Sequence, residues 1–221
     1  MMRRNTFPFS AFYGMDDVKQ AILIALVNPL AGGILVSGGT GTGKSALLRS
    51  AGELMDGPWM EVPVGVTEDR LYGGMDTEAA IQDGRKKWQP GLLEEANHGI
   101  LYIDDVNLLR DELLSSILNV AESGIYKMER DGFSLEKHFS GTIFATMNPD
   151  SGTLSAAQLD KFGLFVQPEN DFDTEARKEI IKRVLAFDDN GTAFRIKWEQ
   201  ETKELKKKIR NAGHQLKEVT V

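Results

Sequence analysis

Apolar residues along this chain arrive in short clusters whose spacing changes from one stretch to the next. Five β-branched and aliphatic runs, at residues 33–37 (GILVS), 59–64 (WMEVPV), 99–104 (GILYID), 142–147 (TIFATM) and 164–167 (LFVQ), read as buried strands. The gaps between them carry helical periodicity, at residues 16–27, 44–55, 111–124 and 174–187. Strands alternating with helices predict an α/β fold: a three-layer sandwich around a central parallel sheet. Two stretches depart from this rhythm. Between Ile125 and Phe139, the runs IYKMER and FSLEKHF flank Asp131-Gly132, a dipeptide suited to the positive φ angles of a tight turn, so a β-hairpin is expected before a core strand. Residues 65–90, rich in glycine and containing KKWQPG, suggest a second excursion. After the turn-like Asp188-Asp189-Asn190-Gly191, residues 194–216 read as one long polar helix ending near Gly213. The expected division is a nucleotide-binding core over 1–188 and, over 189–221, a helix leading toward a lid that is absent or truncated.

Composition narrows the choice of partner. With 221 residues, 41% of them hydrophobic and 27% charged, the chain can bury one sizeable core and a small appended subdomain. A formal charge of −7 provides no general basic field, so nucleic acid is not an expected partner. There is no cysteine, and three scattered histidines offer no metal-ligand spacing. The opening MMRRNTFPF lacks the apolar core of a signal peptide, and no run approaches the roughly 20 apolar residues of a membrane span. A cytoplasmic or plastid-stromal protein with no membrane partner is expected.

The chemistry begins at residues 38–45, GGTGTGKS, which satisfy G-x-x-x-x-G-K-[ST] after an expected strand and at the start of an expected helix. Gly38, Gly39, Thr40, Gly41, Thr42 and Gly43 would turn successive N–H groups toward phosphate oxygens. Lys44 would reach the β- and γ-phosphates of ATP, the Ser45 hydroxyl would bind Mg²⁺, and Ala46 continues the loop into the helix. Downstream, the apolar run GILYI delivers Asp104 and Asp105 to the carboxyl end of a core strand, the edge where open α/β sheets bind ligands. Asp104 suits the Mg²⁺, mostly through water, and Asp105 suits the base that orients the attacking water. On the strand TIFATM, the following Asn148 could contact the γ-phosphate or that water; an asparagine before proline is also an ordinary turn former.

Together with FPFSAFYG (7–14), VPVGVTEDRLYGGMD (62–76), WQPGLLEEANHGILYIDDVNLL (88–109), ESGIYKMERDG (122–132), TMNPDSGTL (146–154) and LDKFGLFV (159–166), these residues resemble the AAA+ subunits of magnesium chelatase over essentially the whole chain. The resemblance implies an ATPase with ATP and Mg²⁺ as cofactors. It implies a ring, hexameric in type, of like or D-type AAA+ subunits, acting on a large porphyrin-binding subunit to drive Mg²⁺ insertion into protoporphyrin IX. It also adds Tyr13 to the nucleotide-binding residues. Three departures stand out. The acidic pair is Asp104-Asp105 where the hydrolytic I subunit usually has Asp-Glu, and Asp-Asp is more often tolerated in the D subunit. Lys161 stands where the family carries an arginine acting on the neighbour's nucleotide, and lysine keeps that charge without the planar fork. The lid that supplies a second sensing arginine lies beyond residue 221. A D-like scaffold that hydrolyses poorly and a MoxR-type AAA+ chaperone are the rival readings, and the choice between I and D types stays open on these residues. The basic residues Lys203, Lys206, Lys207, Lys208 and Arg210, interleaved with glutamates, read as a solvated helix face.

Overall fold

The computed structural model describes residues 6–75, 87–130, 133–168 and 173–219. Helix α1 (Asp16–Val27) leads into β1 (Ile34–Ser37), followed by α2 (Lys44–Ser50), β2 (Trp59–Val62), α3 (Glu68–Tyr72), β3 (Gly73–Met75) and β4 (Trp88–Pro90). Then come α4 (Leu92–Glu95), β5 (Ile100–Ile103), α5 (Asp111–Ser123), the hairpin strands β6 (Ile125–Arg130) and β7 (Phe133–His138), and β8 (Thr142–Met147). The chain closes with α6 (Ala156–Leu159), β9 (Leu164–Val166), α7 (Thr174–Asp189), α8 (Gly191–Lys197) and α9 (Glu199–Glu218).

Five strands form one parallel sheet in the order β2-β5-β8-β1-β9. All five had been expected from their apolar runs. The side-chain period of two splits the sheet between two cores. Leu35, Leu101, Ile103, Ile143 and Ala145 face the cluster built with α4 and α5. Ile34, Val36, Ile100, Tyr102 and Phe144 face the cluster built with α1 and α2. Three layers follow directly, because both faces are apolar and each needs a cover.

At the amino-terminal edge of the sheet, β1 and β9 are joined almost backbone to backbone: Gly163 N–H donates to Gly32 O at 3.1 Å. A Cβ on Gly163 would sit 1.5 Å from Ala31 O. Gly163→Ala must therefore push the two strands apart, and it is expected to cost on the order of 3 kcal/mol, read as a lowered denaturation midpoint in urea.

The structure refines or departs from the sequence expectations in four places. The helix expected over 44–55 is α-helical only to Ser50 and tightens into a 3-10 turn over Ala51–Leu54. A Cβ on Gly52 would lie 3.2 Å from the Trp59 ring, so the tightened turn packs against the start of β2. The excursion at residues 65–90 forms α3 and the pair β3–β4, while residues 76–86 lie outside the described part, as does the expected turn Asp131-Gly132; the two hairpin strands it would join are present. The long helix expected over 194–216 is broken at Trp198, the indole of which lies under the Arg183 guanidinium at 4.9 Å and beside Phe194. That packing turns the chain, and α9 then runs back along α1, past Gly213, to Glu218. Finally, the basic face of α9 is partly engaged. Lys206 and Arg210 both bind Asp56, at 2.5 and 3.1 Å, while Leu205 and Ile209 pack on the second core.

Candidate active site

The carboxyl ends of β1, β5 and β8 converge, and the loops leaving them bring together Lys44, Ser45, Asp104, Asp105 and Asn148. β1 is buried at every position, and its loop folds because Gly41 and Gly43 take φ angles of 77° and 86°, a region that disfavours residues with a Cβ. The loop is self-braced. Gly38 N–H donates to Met147 O at 3.1 Å, and the Thr42 hydroxyl donates to Gly39 O at 3.0 Å. Lys44, only 6% exposed, lays its ammonium into this cup, donating to Gly38 O and Gly39 O at 2.6 Å each and to Thr42 Oγ1 at 3.3 Å. Burial pulls its pKa below the usual lysine range, opposed by the charges of Asp105 and Asp104.

Asp104 is the hub. Its Oδ1 accepts from Thr146 Oγ1 at 2.6 Å, Tyr102 OH at 2.7 Å and Ser45 Oγ at 2.8 Å. Its Oδ2 accepts from Arg49 Nη2 at 2.8 Å. Burial alone would raise this carboxyl, but the three hydroxyl donors and the Arg49 charge prevail and hold its pKa at about 2. It is an anion throughout the physiological range. The Tyr102 phenol is pushed above its usual range, first by burial and then by its bond to Asp104, so it remains a donor.

Asp105 is held by its backbone. It adopts φ 46° and ψ 57°, and its N–H donates to Thr146 Oγ1 at 2.9 Å. The same threonine thus fixes both acids of the pair. Asn148 reaches from the end of β8 to the loop after β1, donating from Nδ2 to Thr40 Oγ1 at 3.0 Å, while its Oδ1 accepts from Asp150 N–H at 3.1 Å. The turn role and the bridging role of this asparagine coexist. Tyr13 is 41% exposed and stacks on Arg183, with its ring centroid 5.2 Å from the guanidinium carbon. Two residues on, Met15 Sδ lies 3.9 Å from the place a Gly43 Cβ would take, so this segment flanks the phosphate loop. Ala46 is exposed on the first turn of α2.

Lys161 is not part of this assembly. It lies between α6 and β9, beside the Gly32–Gly163 junction that precedes β1, whereas the phosphate loop follows β1; its ammonium binds Glu122 at 2.5 Å. The full length of β1 separates the two.

Four contributors escaped the sequence reading: Arg49, Tyr102, Thr146 and Asn107, the last donating to Asn148 O and Gly152 O at 3.1 Å each. A weak signal existed for three of them. Tyr102 precedes Asp104 by two and Thr146 precedes Asn148 by two, each pair sharing one face of a strand, while Arg49 follows Ser45 by four on one face of a helix.

The residues present suit a nucleotide carried with Mg²⁺. A Cβ would meet nothing within 4 Å at Gly39 or Gly41, so the backbone there is open to a close ligand. An ammonium, a hydroxyl and a carboxylate stand next to one another at the loop's end. Among the described residues no group of three or more histidine or acidic side chains is arranged to hold a metal ion.

Comparison with known proteins agrees with this geometry. The family described as AAA domain (dynein-related subfamily) matches residues 33–162. The magnesium-chelatase 38 kDa subunit of Cereibacter sphaeroides is 36% identical, over 95% of this chain and 72% of that protein. A magnesium-chelatase subunit ChlI homolog of Methanocaldococcus jannaschii is 34% identical, over 100% of this chain and 71% of that protein. A solved chain from the complex between subunits BchI and BchD of magnesium chelatase superposes with a TM-score of 0.68 at 36% identity, covering 96% of this chain and 76% of that one. At 34–36% identity to these subunits over nearly its full length, the chain belongs to the AAA+ family of magnesium-chelatase I subunits.

Proposed function

We propose that this chain is the ATP-hydrolysing AAA+ subunit of a magnesium-chelatase-type complex, coupling ATP turnover to Mg²⁺ insertion into protoporphyrin IX. The single observation that carries the ATPase reading is the convergence of Lys44, Ser45, Asp104, Asp105 and Asn148 at one sheet edge. In this reading Lys44 exchanges its bonds to Gly38 O and Gly39 O for phosphate oxygens. Those carbonyls hold the ammonium at 2.6 Å where phosphate charge would be welcome, so little reorganisation is needed. Gly38 to Gly43 supply backbone N–H groups, Ala46 extends the loop into α2, and Tyr13 flanks the nucleotide. Ser45 and Asp104 would hold the Mg²⁺, which would supply neutralisation of phosphoryl charge. Asp105 acts as the base that orients the water, with its backbone fixed by Thr146. Asn148 contacts the γ-phosphate or the water.

Lys161, too far from its own phosphate loop, serves the nucleotide of a neighbouring subunit in a ring, hexameric in type, with like or D-type subunits and the large porphyrin-binding subunit as partners. A trans arginine is worth roughly 10³–10⁵ in rate, and lysine lacks its bidentate fork. Lys161→Arg is therefore expected to raise Lys44-dependent turnover by about tenfold or more, and Lys161→Ala to lower it, in a steady-state ATPase assay with D and large subunits present. The short acid Asp105, one methylene further from its water than a glutamate, and the Lys161–Glu122 pair favour a second reading, a D-like scaffold that binds ATP and hydrolyses it poorly.

Among the described residues no helix is long and apolar enough to cross a membrane, and the tobacco relative bears the name chloroplastic. A cytoplasmic or stromal setting fits both. The deciding experiment measures Mg²⁺-dependent ATP hydrolysis by the chain alone and then with D and large subunits. Turnover that requires Lys44 supports the motor; tight ATP binding with no turnover in any mixture overturns it in favour of the scaffold.

A further inference from the structure

Arg49 occupies an unusual position for an arginine on a helix beside the phosphate loop. It lies on α2, one helical turn after Ser45, and its guanidinium is gripped from three sides. Nε and Nη2 donate to Glu61 at 3.0 and 3.5 Å, Nη2 donates to Asp104 Oδ2 at 2.8 Å, and the guanidinium carbon lies 5.0 Å from the centre of the Tyr102 ring. Glu61 in turn accepts from Trp59 Nε1 at 3.4 Å and sits on β2 directly beside Tyr102 on β5. An ordinary surface ion pair, with both partners free to swing, fixes nothing. Here the planar fork spans two carboxylates from two adjacent strands, and a ring braces its face.

The consequence falls on Asp104. Three donors hold Oδ1, and Arg49 holds Oδ2, so the carboxylate is tied at both oxygens and cannot turn about its Cβ–Cγ bond without breaking bonds at each. A fixed Oδ1 determines where the Ser45 hydroxyl sends its proton, and a hydroxyl that donates in a set direction presents its lone pairs in a set direction too. We infer that Arg49 is a positioning residue for the metal end of the site: acting through Asp104, it aims the lone pairs of Ser45 at the cation that accompanies the nucleotide. This rests on the nucleotide reading above and deepens it, adding a residue that nothing in the loop motif specifies.

Removing partners of this kind in metal sites costs roughly 10- to 100-fold in metal affinity or activity. The test titrates Mg²⁺ into the full chain in the presence of a fluorescent ADP analogue and follows binding rather than turnover. Arg49→Met, which keeps the aliphatic stem against Tyr102, is expected to raise the Mg²⁺ concentration for half-maximal effect about tenfold. Its affinity for the analogue in EDTA should change by less than about twofold. Arg49→Lys cannot span both carboxylates and should shift the Mg²⁺ curve in the same direction by less. Glu61→Gln, at a half-exposed strand position, frees one anchor of the guanidinium and should also move it that way, so the inference stays testable if Arg49→Met folds poorly. Mg²⁺ curves for the Arg49 and Glu61 variants that coincide with that of the unaltered chain would overturn the inference. So would a shift to lower Mg²⁺, which would make Arg49 a competing charge, and so would a lowered melting temperature with unchanged Mg²⁺ dependence. Lys44→Ala separates the two levels of argument: if it leaves analogue binding in EDTA intact, the nucleotide reading itself fails, whereas its loss beside unaffected Arg49 variants sinks only the role given to Arg49.

Discussion

Lys44→Ala is expected to reduce ATP hydrolysis by at least about 100-fold and to weaken nucleotide binding even without Mg²⁺, with the fold intact. The magnitude follows from the position of the side chain. It is 6% exposed, and every polar contact it makes is with the phosphate loop itself. A preorganised donor aimed at phosphate charge in such a site is worth on the order of 10²–10³ in rate. Removing it leaves Gly38 O and Gly39 O facing a cavity rather than a cation, and both can be met by water, so the melting temperature should fall by only a few degrees. Steady-state hydrolysis and equilibrium binding of a fluorescent ATP analogue measure the two effects separately. A variant that hydrolyses ATP at the unaltered rate would place the reaction elsewhere.

Asp105→Asn should behave differently, and the difference is diagnostic. Its backbone is held by Thr146, and the amide is nearly isosteric, so loop geometry and nucleotide affinity should survive. What disappears is the proton acceptor. General-base contributions run to roughly 10²–10⁴ in rate, so turnover should fall by at least about 100-fold with little change in the binding of the ATP analogue. Asp105→Glu extends the carboxylate by one methylene and should raise turnover if the native base stands too far from its water. If Asp105→Asn weakens binding as much as it slows hydrolysis, the residue supports the nucleotide and is not the base.

Much of this site was legible in the residues because its chemistry is tied to short local patterns. The loop at 38–45 announces itself by glycine spacing, since only those positions permit the positive φ angles and open backbone that phosphate oxygens require. Asp104 and Asp105 follow from an apolar strand that must end at the ligand edge of a parallel sheet. Asn148 follows from its place after the next strand. The same logic found all five strands, because a strand buried on both faces reads as an unbroken apolar run.

What escaped depends on contacts far apart in sequence. Arg49 gained its place by pairing with Asp104 and Glu61 across two strands, and an arginine on a polar helix face carries no mark of such partners. Thr146 looks like any strand threonine until β8 pairs with β5 and sets its hydroxyl against Asp104. The long terminal helix was misread because helical periodicity continues through Trp198; the break comes from an indole packed under Arg183 on another helix. Lys161 shows the same divide from the other side. Its residue type and motif pointed to a phosphate, and only the folded chain shows that the length of β1 keeps it from its own.

By itself, then, the order of residues determined the layer architecture, the phosphate loop, the acidic strand end and the hairpin strands, because each depends on local backbone preference or on the periodicity of burial. Tertiary structure decided which polar side chains meet at Asp104, where the last helices turn, and that Lys161 stands apart from the phosphate loop of its own chain. Those outcomes are set by which strands pair and which side chains pack between separate elements, a property that short-range patterns do not encode.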